Sequence, residues 1–362
     1  MSRDRNPRVI VLQTVLPDYR LPFHRLVAAR LNADYRVCCG EICFEESTRT
    51  AINGRDLIDP VRNSYLGGRR FLWQHGGFAR ALSADVVVLG FNLRILSNYG
   101  ILLIRKLLRR RTILWGHIEG RSFVTRCFRF TQILLANAFV TYTRRDHDQL
   151  RAQYPRLKVA AAPNACLHKA DCRFLRRPAG EVNEIIYVGR LTTRKKPGLL
   201  VDAFHRAIRN SAIPSKARLR VIGSGPEEGN LRGQVAEADL RDRVIFHGHI
   251  SAPDRLRELY ATALVSASPG YVGLSAIQSF AFGVPMLVAR GEPHSPEFEA
   301  CQEEFNTLFF DSDDPASLAD LIGRIYQEKH SLLERRSTIS TRIRDTYTYE
   351  KMADTFVSVI GQ

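Results

Sequence analysis

The residues best placed to do chemistry are a pair of cations in the second half of the chain. Gly189-Arg190-Leu191 closes a strand-like run, and after Thr192, Thr193 and Arg194 come Lys195 and Lys196. A small residue at a strand's end lets a ligand approach, and Arg190 and Lys195 can converge on an anion held in front of the sheet. When a group leaves a nucleotide diphosphate, charge gathers on the departing phosphate, and two fixed cations there supply several kcal/mol without any base acting on the leaving group. The competing reading is a solvated basic loop with Arg190 in an ion pair.

Three further stretches have the composition of phosphate-facing loops. Ser268–Pro285 reads SPGYVGLSAIQSFAFGVP: turn signals at Pro269, Gly270 and Gly273, an apolar segment with Leu274, Ile277 and Ala281 on one face, then a stop at Gly283 and Pro285. A loop feeding a helix start aims free N–H groups and the positive end of the helix dipole at whatever lies in front, which suits a diphosphate. A buried packing helix would show the same local pattern. In LRVIGSGP the turn Gly223-Ser224-Gly225 follows a strand, but Glu228 stands where a dinucleotide fingerprint needs its third glycine, so NAD is not expected. VIFHGHI, with His249, is another strand running into a glycine loop.

Three residues in the first half can act on substrate. His117, in WGHIEGR, follows a strand and can contact a substrate bound at the strand's end or take a proton, and Glu119 is an alternative carboxylate. Arg20, in the first loop, can bind a phosphate of the substrate. Asp146 and Asp148, then Asp311, Asp313 and Asp314, are the acidic sets in which Asp-x-Asp metal binding would be sought; both read as helix starts. No His/Cys cluster offers a zinc site and no Ser/His/Asp order offers a hydrolase.

These residues need two α/β series to hold them. Strand-like runs at Val9–Val15, Tyr35–Cys39, Asp85–Gly90, Thr112–Trp115, Ala138–Thr143 and Val159–Ala162 alternate with helical or basic segments. A second series runs Ile185–Val188, Arg218–Ile222, Val244–His247, Leu264–Ala267, Met286–Ala289 and Thr307–Phe310. Val- and Ile-rich strands spaced this way indicate parallel βαβ units. The expected fold is α/β, with two doubly wound Rossmann-like domains facing a cleft: residues 1–175, to which a C-terminal helix at 346–362 returns, and residues 176–345. Gly40–Gly77, rich in glycine pairs, reads as a mobile surface region.

Composition narrows the partners. The chain has 362 residues, 45% of them hydrophobic, and a net charge of +16. Residues 1–180 carry 31 Lys+Arg against 13 Asp+Glu, or +18, and the remainder carries −2. Arg105, Lys106, Arg109, Arg110, Arg111, Arg121, Arg126 and Arg129 are interleaved with Leu, Ile and Phe, which favours an anionic membrane surface over nucleic acid, a merely solvated basic face being the other reading. No apolar run is long enough to span a bilayer, and seven scattered cysteines argue against disulfides or a thiolate metal site. The expected location is the cytoplasm, peripheral at the inner face of the membrane.

In order and spacing, VGRLTTRKKP, LRVIGSGPEEGNL, DRVIFHGHI and ELYATALVSASPGYVGLSAIQSFAFGVPML resemble the donor-binding domain of retaining glycosyltransferases of the family 4 type, which have the GT-B fold. The likeness spans Ile185 to Leu287, and PDYRLPFHRL, TILWGHIEGR and FVTYTRRDHDQL extend it loosely into the first half. It implies transfer of a sugar from a nucleotide-diphosphate sugar to a saccharide or lipid-linked acceptor, with retention, no cofactor and no metal. Arg190 and Lys195 match the family's diphosphate-binding pair, and Gly273 and Leu274 match the loop whose amides meet the phosphates. Gly189, Tyr271, Val272 and His249 are expected beside them. Where the family has two glutamates separated by seven residues, this chain has Gly270 and Gln278; the Gly270 backbone, Ser268 or Glu297, in HSPEFEA, is the expected substitute for the sugar contact. The alternative implied by those departures is an inactive nucleotide-sugar-binding or scaffold protein of the same fold.

Overall fold

The computed structural model describes residues 6–44, 49–118, 123–175 and 181–362, and the chain separates into two compact units. Unit 1 is Met1–Asn164 with Tyr349–Gln362, and unit 2 is Ala165–Thr348. The division falls before the expected linker because Leu167 and Cys172 are buried in the core of unit 2. Likewise residues 346–348 stay with unit 2, and only Tyr349 onward returns.

Unit 1 contains β1 (Arg8–Gln13), α1 (Leu21–Arg30), β2 (Asp34–Cys39), β3 (Ile58–Pro60), β4 (Arg62–Leu66), β5 (Phe71–His75), α2 (Gly77–Ser83), β6 (Val86–Gly90), α3 (Leu96–Leu107), β7 (Arg111–Gly116), α4 (Phe123–Leu135), β8 (Ala138–Thr141), α5 (Arg144–Gln153) and β9 (Lys158–Ala161). Its seven-stranded sheet runs β3-β2-β1-β6-β7-β8-β9, parallel throughout. Buried on both faces, its central strands carry apolar runs rich in Val, Ile and Leu, as in VVVL of β6. The C-terminal helix Tyr349–Gly361 packs on α1: Phe356 meets Phe23 and Trp115, and the Tyr349 hydroxyl donates to the Tyr19 carbonyl at 2.6 Å.

The described residues of the glycine-rich region form regular structure rather than surface loop alone. It supplies β3 at the sheet edge and the antiparallel hairpin β4–β5. Gln74 Nε2 donates to the Gln13 carbonyl at 2.9 Å and Asn63 Nδ2 to the Thr14 carbonyl at 2.9 Å, so the hairpin is tied to the end of β1.

Arg105 belongs to the interior and not to the basic surface. Its guanidinium donates to the carbonyls of Ala81, Ala84, Asp85 and Arg111 and, through Nε, to Thr112 Oγ1 at 3.0 Å. Burial pushes it down to about 10, still charged at neutral pH. Arg105→Ala is expected to destabilise the protein by at least about 1–3 kcal/mol, as measured by denaturant unfolding, because it strands buried carbonyls around an emptied volume.

Unit 2 contains β10 (Glu184–Val188), α6 (Pro197–Arg209), β11 (Arg218–Ile222), α7 (Glu228–Glu237), β12 (Val244–Gly248), α8 (Pro253–Ala261), β13 (Ala263–Ser268), α9 (Leu274–Ala281), β14 (Met286–Ala289), β15 (Thr307–Phe310), α10 (Pro315–Gln327), α11 (Lys329–Glu334) and α12 (Arg336–Thr346). The six parallel strands run β12-β11-β10-β13-β14-β15. Strand order reverses between β10 and β13. Open α/β sheets bind ligands beyond the carboxyl ends of strands at such a reversal. Here the segments leaving those two ends begin at Gly189 and Pro269.

Candidate functional site

In unit 2 the loop after β10 is shaped by close backbone packing. The Tyr187 hydroxyl donates to the Arg190 carbonyl at 2.9 Å, and Leu191 N–H donates to the Ser224 carbonyl at 3.0 Å. A Cβ on Gly223, whose φ is +136°, would lie 1.9 Å from the Gly189 carbonyl oxygen; one on Gly225 would lie 2.2 Å from that of Leu191. The two glycines therefore let the β11 turn press against the β10 turn, which fixes where the cations start. Arg190 is exposed at this turn.

Lys195 closes the loop back onto the segment leaving β13. Its Nζ donates to the Tyr271 carbonyl at 2.7 Å and stands 3.6 Å from the Tyr271 ring centroid. A Cβ on Gly273 would be 3.9 Å from the same Nζ, so the ammonium lies beside the entry to α9. Gly273 precedes α9 with no side-chain cap, leaving the first helical amides without intrahelical acceptors. Burial, and then the Arg190 guanidinium, push Lys195 down to about 8; Glu297 opposes the shift and Arg194 adds to it. Two cations and a carboxylate thus act on one point. Because an anion is held best by the protonated amine, affinity for a nucleoside diphosphate is expected to fall as pH rises through about 8. The slope approaches tenfold per pH unit, and calorimetric titration at neutral and alkaline pH reads it.

Gly270 is not an open position awaiting a side chain. A Cβ there would sit 2.2 Å from the Arg194 carbonyl oxygen and 2.8 Å from the Lys195 backbone. The 193–195 turn occupies the space into which a glutamate at 270 would project. Glu297, on the turn Pro296–Ala300, is buried and close enough to Lys195 to raise its pKa. Gln278 lies half-buried on the second turn of α9. Ser268 Oγ donates toward the Gly270 and Tyr271 carbonyls, so it shapes the turn.

His294 is a participant the sequence did not announce. Its Nδ1 accepts the Val272 N–H at 3.0 Å, Nε2 faces the Ala289 carbonyl at 2.9 Å, and its ring stacks on Phe298 at 4.2 Å. These partners assign the Nε2–H tautomer, and burial holds the imidazole below its ordinary pKa, so it is neutral at neutral pH. It clamps the 270–274 loop to the end of β14 and to the turn bearing Glu297. His294→Phe leaves the Val272 N–H without its acceptor; a loss of about 1–3 kcal/mol is expected in thermal or denaturant unfolding. Lys196, at φ +50°, braces the opposite side of the cation loop through Glu292 at 2.6 Å and Asp313 at 2.7 Å. His249 is not drawn in: it is exposed beyond β12, two strands from β10 in the sheet.

In unit 1 the carboxyl ends of β7 and β8 carry an aromatic cluster. The Arg20 guanidinium lies 4.7 Å from the Trp115 ring centroid and 5.2 Å from that of Tyr142, and the His117 and Tyr142 rings are 6.1 Å apart. Arg20 and His117 are thus brought together around Tyr142. Arg20 Nε donates to the Tyr19 hydroxyl at 3.3 Å, and stacking on aromatic faces leaves the in-plane N–H groups of a guanidinium able to meet an anion. Glu119 lies outside the described residues. Asp146 accepts the Ile118 N–H at 3.2 Å and Asp148 pairs with His147 at 2.8 Å, while Asp314 caps α10 through the Ala316 and Ser317 amides. Among the described residues no group of three or more His, Cys, Asp or Glu is placed to hold a metal ion.

Residues 172–345, just under half of the chain, match the family model for glycosyl transferases group 1. HepE of Anabaena, solved with UDP, superposes with a TM-score of 0.71 over 98% of this chain and 99% of its own, at 13% identity. A glycosyltransferase of Rickettsia africae gives 0.69, covering 98% of each chain at 12% identity. The fold is GT-B. Among sequence relatives, the alpha-monoglucosyldiacylglycerol synthase of Streptococcus pneumoniae is 27% identical over 179 residues, 48% of this chain and 39% of that protein. The D-inositol 3-phosphate glycosyltransferase of Gordonia bronchialis is 32% identical over 114 residues, 29% of this chain and 25% of that protein. The chain therefore spans well under half the length of these relatives. Its GT-B architecture is shared over nearly the whole chain.

Proposed function

We propose that the protein is a retaining glycosyltransferase of the family 4 type, moving a sugar from a nucleotide-diphosphate sugar to a saccharide or lipid-linked acceptor in glycan assembly. The observation that carries this reading is the meeting of Lys195, under the influence of Arg190 and Glu297, with the Gly270–Leu274 loop beside the strand reversal of a unit that matches glycosyl transferases group 1. In support, HepE has been solved with UDP-glucose, and the pneumococcal O-GlcNAc transferase GtfA, with a TM-score of 0.66 to this chain, with UDP and GlcNAc.

In this reading Arg190, Lys195 and the Gly273 and Leu274 amides hold the diphosphate and neutralise the charge that grows on it as the glycosidic bond breaks. Glu297 takes the sugar-contacting role, its carboxylate arriving from the Pro296–Ala300 turn. In unit 1, His117 contacts the substrate sugar or the acceptor hydroxyl and Arg20 binds an acceptor phosphate. In this reading the fixed cations take the charge-neutralising role that a divalent ion has in other sugar transferases, so chelation with EDTA is expected to leave turnover unchanged. The protein acts at the cytoplasmic surface of an anionic membrane without nucleic acid; no described helix is long and apolar enough to cross a bilayer.

Gly270 and Gln278 favour a second reading, a binding or scaffold protein that retains the fold without transfer. A thermal-shift screen of uridine, guanosine and thymidine diphosphates and their sugars tests the step common to both. Selective stabilisation by one nucleotide, lost in Arg190→Ala, is expected; no shift with any of them would remove both readings.

A further inference from the structure

Exposed large apolar side chains are distributed unevenly. Of the twelve such residues among those described, eleven belong to unit 1 and only Leu175 to unit 2. Six cluster in one stretch: Leu103 and Leu107 on α3, Leu108 just beyond it, and Phe128, Phe130 and Leu134 on α4. α3 packs on α4, with the Tyr99 and Phe128 rings edge to face at 6.0 Å. Tyr99, Leu103 and Leu107 follow one another at four-residue steps on α3, as do Phe130 and Leu134 on α4, so neighbouring helices each turn an apolar stripe outward. Leu107 is 75% exposed. Burial inside the unit does not account for these residues.

Charge says what covers them. From Leu96 to Leu135 there are eight Lys+Arg and one acidic residue, Glu119. The structure separates these cations by use: Arg105 is buried and Arg111 donates to the Val359 carbonyl, whereas Lys106, Arg109 and Arg126 are exposed among the apolar residues. A protein interface depletes charge at its apolar centre. A bilayer surface accepts the opposite arrangement, in which Leu and Phe enter the headgroup boundary while Lys and Arg stems reach up to lipid phosphates.

We propose that the α3–α4 face of unit 1 docks on an anionic lipid bilayer, with Leu103, Leu107, Phe130 and Leu134 entering the headgroup region and Lys106, Arg109 and Arg126 facing lipid phosphates. This rests on the membrane-surface reading above and assigns it a place. Co-sedimentation with phosphatidylcholine vesicles, with and without about one third phosphatidylglycerol, tests it. Wild type is expected to bind the anionic vesicles and to be released by salt of about 0.5 M. Lys106→Gln with Arg109→Gln removes two charges and should weaken binding about 30-fold. Leu107→Glu with Phe130→Glu should weaken it at least tenfold at unchanged melting temperature. Wild-type binding that ignores phosphatidylglycerol, or both variants binding as wild type does, would overturn the proposal. So would a dimer in solution that the Leu107→Glu, Phe130→Glu protein fails to form, with no vesicle binding by wild type, because a second copy would then cover the face. Nucleoside-diphosphate thermal shifts separate this proposal from the transferase reading. Lipid-dependent binding that the variants lose, in a protein no nucleotide stabilises, would uphold the docking face and remove the transferase.

Discussion

Gly270→Ala is expected to lower stability and donor affinity together, and Gly270→Glu to do so more severely, although glutamate is the residue the family resemblance places there. The added Cβ would lie 2.2 Å from the Arg194 carbonyl oxygen, a backbone atom that cannot swing aside as a side-chain tip does. Making room means displacing the 193–195 turn, at a cost of about 1–3 kcal/mol for overpacking a fitted interior. Displacement also pulls Lys195 away from the Tyr271 carbonyl, so the loss of diphosphate affinity should exceed the loss of stability. Melting temperature and nucleotide titration on one preparation read both. Unchanged stability with higher affinity in Gly270→Glu would show that position 270 has room for the missing acid. Glu297→Gln is the informative counterpart, because it removes the charge and keeps the shape.

Arg190→Ala and Lys195→Ala are the second pair with large expected effects. A hydrogen bond to a charged group contributes about 1.5–3 kcal/mol, so each change should weaken nucleoside-diphosphate binding about 10- to 100-fold. The two losses should not simply add. Arg190 is one of the charges that hold Lys195 down at about 8, so Arg190→Ala relieves that repulsion and the Lys195 pKa rises. The pH at which affinity falls should therefore move upward from about 8 in Arg190→Ala. In Lys195→Ala the fall should disappear. A simple solvated loop would yield neither shift.

Much of the fold was legible because parallel strands buried on both faces must be apolar throughout. The six strands of unit 2 fall within a residue or so of where Val, Ile and Leu runs put them. The β4–β5 hairpin escaped detection for the converse reason. In FLWQH the exposed positions are Phe71 and Trp73 and the buried ones are Leu72 and Gln74, so apolar character does not mark the inner face. Arg105 sat unnoticed in a basic run because composition cannot tell a guanidinium surrounded by carbonyls from one in water. At the site, Arg190, Lys195 and the 270–274 loop could be named from order and spacing. What spacing could not convey was that Gly270 is required by the approach of another backbone, or that His294, in an unremarkable GEPHSPEFEA, fixes the loop from behind. Both facts arise from segments about 20 to 80 residues apart in the chain meeting in space, which no local pattern encodes.

Release of nucleoside diphosphate tests sugar transfer most directly. Uridine, guanosine and thymidine diphosphate sugars would each be incubated with the protein and a panel of saccharide and lipid-linked saccharide acceptors. One donor is expected to be consumed only when an acceptor is present, and Arg190→Ala to slow that consumption at least about tenfold. Tight, selective nucleotide binding with no turnover for any donor and acceptor would contradict it and leave a binding protein on a GT-B fold.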